Sequence, residues 1–191
     1  IKSDNLVEMM GFFTTEERMK ATGQTLCHYH VVSELLIGVT LSDLLKGVVT
    51  TANGEKIAYA EELYTLYKTN PYEFAAIVIR QLLSGLMALH DAGYIHRDID
   101  PSNIMITANR KIKLIDFGIA KHLTTLATQD KHLTSAGQFI GKAQYAAPEL
   151  VLGDVLHQDR TTDIYAVGIM FYQLITGRLP FDGSTTSVIS A

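Results

Sequence analysis

His96-Arg97-Asp98-Ile99-Asp100-Pro101-Ser102-Asn103, followed by Asp116-Phe117-Gly118, is the stretch on which the reading of this chain turns. Between the two polar clusters, Ile104-Met105-Ile106 and Ile112-Lys113-Leu114-Ile115 read as two short strands, and Ala108-Asn109-Arg110-Lys111 joins them as a turn. Such a hairpin brings Asp98, Asn103 and Asp116 to one mouth. Three oxygen-bearing side chains converging beside a buried hairpin suit hard cations and phosphate chemistry.

Working outward, the segment from Asn70 to Gly93 predicts a long helix. Asn70 caps it, Pro71 takes its first position and Glu73 completes a capping box. Phe74, Ile77, Val78, Leu82, Leu86 and Leu89 recur at helical spacing, and Gly93 ends the helix. It reads as a core helix that delivers Tyr94-Ile95 to the polar cluster. Upstream, Leu6 to Phe13 and Thr25 to Leu36 read as two strands of a hairpin joined by a polar connection, Thr14 to Gln24. Gly38 is expected to end the second strand, Thr40 or Ser42 to cap a short helix, and Glu55 to Lys68 to form another. Downstream, Lys121 to Gln138 reads as a long Thr-rich loop, a length usually tied to function. Thr161-Thr162-Asp163 opens a helix through Ile175, closed by Gly177 and apolar nearly all round.

Composition sets bounds. The 191 residues are 47% hydrophobic, enough for a sizeable core. A net charge of −4 without a basic run gives no case for nucleic acid. The most apolar stretch, Phe74 to Leu89, carries Arg80, Gln81 and Ser84, which argues against a membrane segment. The single cysteine, Cys27, forms no internal disulfide and fits a reducing compartment, so a cytoplasmic location is expected. The start at Ile1 and the end at Ala191 suggest a piece of a longer protein.

His96-Arg97-Asp98 with Asn103 resembles the catalytic loop of eukaryotic-like (Hanks-type) protein kinases, and Asp116-Phe117-Gly118 resembles their magnesium motif. Ala147-Pro148-Glu149 is similar to the end of the activation segment, Asp163 to Gly168 to the start of the central helix, and Arg178-Leu179-Pro180-Phe181 to the turn after it. The resemblance is to bacterial members of the Ser/Thr class. It implies an α+β protein-kinase-like fold, with residues 1–36 as the end of the N-lobe sheet and hinge. Residues 37–191 would be a mainly helical C-lobe. It also implies ATP and Mg²⁺ as cofactors, a protein substrate, and a second kinase copy as a possible partner.

The resemblance gives the residues their roles. Asp98 would accept the substrate hydroxyl's proton, while Asn103 and Asp116 would hold Mg²⁺. Val31 to Gly38 resembles the hinge, with adenine against backbone of Glu34 and Leu36, Met105 beneath it, and Ile115 beside it. Small Ser33 would guard a roomy back pocket. Met9, His96 and Phe117 would form one hydrophobic spine, and Leu41, Met105, Met170 and Leu174 a second. Arg97 would grip a phosphate on the activation loop, with Thr134 and Ser135 the leading acceptors and Thr124, Thr125 and Thr128 weaker ones. His28 and His30 share a strand face, and with no third ligand nearby they read as structural.

Two positions depart from the family pattern. Asp100 stands where Ser/Thr kinases carry lysine, and Lys142 where they carry threonine. Three carboxylates without a cation would repel nucleotide phosphates, so Lys142 is expected to return the charge by pairing Asp100 or Asp98. The alternatives are a pseudokinase scaffold or nucleotide binder, and a small-molecule kinase of the aminoglycoside or choline type. No glycine-rich loop, strand-borne lysine or partner glutamate precedes the hinge. The segment alone is therefore expected to have little or no activity, with Glu149 lacking its usual arginine.

Overall fold

Two stretches of chain carry opposite burial. In the computed structural model, which describes residues 1–19, 23–51, 53–116 and 143–181, an exposed hairpin precedes a helical body with a continuous core. Strand β1 (Met9–Arg18) pairs antiparallel with β2 (Thr25–Ser33), and Met9 stands opposite Ser33. Strand β1 lies further along the chain than expected, because Thr14 to Arg18 continue the ladder, and β2 begins at Thr25 as expected but stops at Ser33 instead of Leu36. The polar run Thr14-Thr15-Glu16-Glu17-Arg18 can stay in the ladder because neither face of the hairpin is buried.

Gly38 opens a strand rather than ending one. Gly38–Thr40 (β3) pairs with Ile104–Thr107 (β4), which pairs with Ile112–Leu114 (β5), giving a three-stranded sheet in the order β3-β4-β5. Three residues are too short for a sequence period to announce. Glycine is required at position 38: a Cβ there would lie 2.1 Å from the Ile106 carbonyl oxygen.

Thr40 caps α1 (Leu41–Leu45), its hydroxyl accepting from Asp43 N–H at 3.0 Å. Helix α2 (Ala58–Thr69) leads through Asn70 into α3 (Pro71–Asp91), where Asn70 Oδ1 accepts from Glu73 N–H. The expected capping box is not completed: the Asn70 N–H donates to the Leu66 carbonyl of α2, and Glu73 accepts from the Asn70 side-chain amide instead. Helix α3 is long and apolar enough to cross a membrane by length and composition. Here Phe74, Val78, Leu82, Leu86 and Leu89 are buried in the core. The short α4 (Pro148–Val151) precedes α5 (Arg160–Thr176), which packs on α3 and ends at Gly177 with φ 72°.

Helix α5 buries Ala166, Val167, Ile169, Met170 and Leu174 but leaves Ile164, Phe171 and Tyr172 exposed among the described residues. The near-continuous apolar run had suggested burial all round; only one side of the helix meets α3.

Candidate active site

The mouth is built from the buried end of α5 outward. Asp159 caps that helix, and Asp163 lies one turn in with a fully buried side chain. Its carboxylate accepts from the backbone N–H groups of His96 at 2.9 Å and Arg97 at 2.8 Å, and meets His90 Nε2 at 2.7 Å. A buried carboxylate survives only when its oxygens are satisfied, and here three groups do that. The clamp holds Arg97 at φ 66°, in the left-handed region that a non-glycine residue rarely adopts. The chain is thereby turned sharply just before Asp98.

His96 is 2% exposed and bridges the two polar clusters. Its Nε2 lies 3.1 Å from the Ile115 carbonyl oxygen, and its Nδ1 accepts from Asp98 N–H at 3.3 Å. The two contacts assign the proton to Nε2 in a neutral ring. Burial pushes the imidazole below its ordinary value, against the opposing pull of Asp163, which favours a structural residue over a base. Its spine neighbour Phe117 lies outside the described residues.

Asn103 links all three expected site positions. Its side-chain amide donates to the Asp98 carbonyl oxygen at 2.8 Å, and its own carbonyl accepts from Ile115 N–H at 2.9 Å, next to Asp116. Spending the amide nitrogen on Asp98 leaves Asn103 Oδ1 as the donor atom for a cation. Asp116 is exposed, sits at φ 62°, and takes no hydrogen bond from another described side chain or backbone group. One neutral and one anionic oxygen fit Mg²⁺, which takes few protein ligands and completes its shell with phosphate and water. No cluster of three or more His, Cys, Asp or Glu side chains suited to a metal occurs among the described residues, His28 and His30 included.

Asp100 is 5% exposed, and its Oδ1 accepts from both the N–H and the hydroxyl of Ser102 at 2.6 Å. It caps the single 3₁₀ turn Pro101–Asn103 that presents Asn103. The negative charge that looked intrusive in the sequence therefore has a local task. Lys142, Thr134 and Ser135, like Thr124, Thr125 and Thr128, lie outside the described residues.

Tyr145 walls the other side of the mouth, its hydroxyl donating to Gln173 Oε1 at 2.6 Å. Burial, with a contribution from the Asp100 charge, pushes its phenol up to about 12. A small pocket lies between this wall and Arg97, Asp98 and Asp100. The Nε of Arg97 is buried there without a hydrogen-bond partner among the described residues.

At the expected hinge, Glu34 N–H donates to the Glu8 carbonyl oxygen at 2.9 Å. The Glu34 carbonyl and the Leu36 N–H enter no backbone hydrogen bond among the described residues. Met105 lies on the half-exposed face of β4, while Ile104 and Ile106 enter the core.

Sequence reasoning missed the Asp163 clamp, the hydrogen bond from Thr162 Oγ1 to Glu149 Oε1 at 2.7 Å, and an ion pair between Lys113 and Glu34. The first was legible as an acidic residue in the opening turn of an otherwise apolar helix. The second occupies Glu149, for which the sequence had offered no arginine. The third was hinted at by a lysine standing in the same strand phase as Met105.

Comparison with known proteins agrees with this geometry. The family model described as "Protein kinase domain" matches residues 1–191. The chain is 41% identical over 117 residues to the serine/threonine-protein kinase drp72 of Corynebacterium efficiens, covering 61% of this chain and 21% of that protein. It is 43% identical over 112 residues to the serine/threonine-protein kinase pkn3 of Myxococcus xanthus, covering 56% and 20%. With the serine/threonine-protein kinase PknA of Corynebacterium glutamicum it shares 34% identity over 164 residues, covering 86% and 29%. The chain thus spans less than a third of the length of these relatives. A polar loop clamped from the buried helix α5, the ordered motifs around it and the match along the whole chain lead to one assignment: this chain belongs to the protein kinase domain family.

Proposed function

We propose that the chain is the catalytic part of an ATP- and Mg²⁺-dependent protein kinase that phosphorylates serine and threonine hydroxyls. The observation that carries this reading is the tie from Asn103 to both Asp98 and the Ile115-Asp116 step. It gathers a proton acceptor and two cation ligands at one mouth.

The substrate hydroxyl oxygen attacks the γ-phosphorus, the bond to the bridging oxygen of ADP breaks, and the hydroxyl proton passes to Asp98. Asn103 Oδ1 and the Asp116 carboxylate would hold Mg²⁺, which when bound would supply positive charge to the phosphates. Asp98 is aimed by its own N–H on His96 and by its carbonyl on Asn103. Adenine is read by the Glu34 carbonyl and the Leu36 N–H, with Met105 and Ile115 against its faces and Ser33 at the rear. Lys142 returns cationic charge beside Asp100. The partnerless Nε of Arg97 favours an acceptor arriving from the activation segment, phosphorylated Thr134 or Ser135. The site operates in the cytoplasm, and a second copy of the kinase is the natural partner for phosphorylating that loop.

The test is phosphotransfer from γ-labelled ATP by the native-length protein to casein, myelin basic protein and an aminoglycoside. Phosphoserine and phosphothreonine on protein, lost in Asp98→Asn, are expected. Labelled aminoglycoside alone, or no transfer with retained ADP binding, would overturn the reading in favour of a small-molecule kinase or a nucleotide-binding scaffold.

A further inference from the structure

Lys113 lies opposite Met105 in the β4–β5 ladder, and Met105 lies opposite Thr40 in the β3–β4 ladder. Ile104, Ile106, Ile112 and Leu114 take the alternate phase and fill the core. Lys113 and Met105 therefore share the sheet face on which the proposed base lies. From that face Lys113 Nζ reaches Glu34 Oε1 at 2.5 Å and the Leu6 carbonyl oxygen at 3.2 Å. The same Glu34 oxygen accepts from Glu8 N–H at 2.8 Å, and Glu34 N–H donates to the Glu8 carbonyl. Glu34 is held at both its side chain and its backbone.

This is unlike the other lysine–carboxylate pairs among the described residues. Lys56–Glu61 has side chains 71% and 47% exposed, and Lys111–Asp4 has 43% and 79%. For Lys113–Glu34 the figures are 17% and 29%. Reduced solvent screening and shared hydrogen bonds make it a fixed contact rather than a fluctuating surface pair. The hinge around it has little else to hold it, since Leu35 is 89% and Ile37 78% exposed. No other side chain of residues 34–37 makes a polar contact among the described residues.

We propose that Lys113 and Glu34 are a positioning pair that fixes the Glu34 carbonyl for the exocyclic amine of the base, and so sets the preference for adenine over hypoxanthine nucleotides. The inference rests on the adenine reading given above and adds the residues that aim it. An adenine amine donates to a carbonyl, whereas hypoxanthine presents an oxygen there and leaves the acceptor unpaired. A hinge that can drift weakens the favourable contact and relieves the unfavourable one. Neither side chain contacts Asp98, Asn103 or Asp116 among the described residues, so the pair acts on base recognition and not on the transfer step.

The experiment measures the dissociation constants of Mg·ADP and Mg·IDP on the native-length protein, with KM and kcat for ATP. Wild-type protein is expected to prefer ADP. Lys113→Met and Glu34→Gln are each expected to lower that preference about tenfold, raising KM for ATP with kcat retained, as loss of a charge-assisted contact would. The double variant is expected to lose no more than either single one, and Lys113→Arg to keep the preference. A wild-type ADP:IDP ratio in both Lys113→Met and Glu34→Gln, or equal loss of both nucleotides, overturns the pair. So does wild-type protein that binds the two nucleotides equally. Should Lys113→Met fail to fold, Glu34→Gln preserves side-chain volume and decides alone. Wild-type protein that binds neither nucleotide overturns the adenine reading itself, a separate result.

Discussion

The hairpin β1–β2 and the helical body around α3 and α5 are held by different forces. Every residue of β1 and β2 is exposed, and the strands are joined by backbone hydrogen bonds and by pairs such as Phe13 stacked on His30 at 4.6 Å. In the body, Leu41, Leu44, Leu82, Met170 and Leu174 have no exposed surface, and the polar loop is pinned to buried Asp163. A two-stranded ribbon with neither face covered is marginal in water. The body carries the buried core and the Asp163 clamp on the polar loop. On the proposed reading, the catalytic mouth is fixed from the C-terminal side, while the nucleotide-binding hinge depends on a few contacts such as Lys113–Glu34.

The contrast can be broken by substitution. Asp163→Ala should have the largest effect, about 3–5 kcal/mol of unfolding free energy, because it strips partners from two backbone N–H groups and His90. Urea denaturation checks this, and a cost below about 1 kcal/mol would show that the loop is held otherwise. Leu82→Ala should cost about 3 kcal/mol, since the side chain is wholly buried in the core cluster. Val31→Ala in the hairpin should change stability by no more than about 0.5 kcal/mol, its side chain being 46% exposed. Equal costs at the two sites would erase the distinction between the regions.

The smallest expected effect concerns pH. His96 is depressed below its ordinary value by burial. The unfolded chain therefore binds a proton at higher pH than the folded one. The stabilisation from a neutral His96 is complete above the unfolded value of about 6.5 and is lost as pH falls below it. The His96 C2–H resonance should stay unshifted as pH is lowered through about 6.5 while the urea midpoint begins to fall. A resonance titrating at 6.5 would place the ring in solvent.

Much of this was readable from residue order. The α3 cap at Asn70-Pro71-Glu73 and the turn at Gly177 each have a local chemical cause, and they appear where the spacing put them. The grouping of Asp98, Asn103 and Asp116 was legible for the same reason: they are close in sequence and bracket one hairpin. What escaped was long-range. Strand β3 is three residues long and exists because β4 lies beside it, so no period could reveal it. The clamp from Asp163 crosses 67 positions to His96, and the pair from Lys113 crosses 79 to Glu34. The capping of the 3₁₀ turn by Asp100 through Ser102 also escaped, a local hydrogen bond that composition does not announce, while the expected Lys142 partner lies outside the described residues.

The most direct measurement is single-turnover phosphate transfer from γ-labelled ATP to a protein hydroxyl, comparing wild type with Asp98→Asn at saturating Mg·ATP. A positioned carboxylate acting on the hydroxyl predicts a fall of about 10²–10⁴-fold with ADP affinity unchanged. Transfer by Asp98→Asn at the wild-type rate would contradict the assignment of Asp98 as the proton acceptor, and with it the catalytic role of the mouth at residues 96–116.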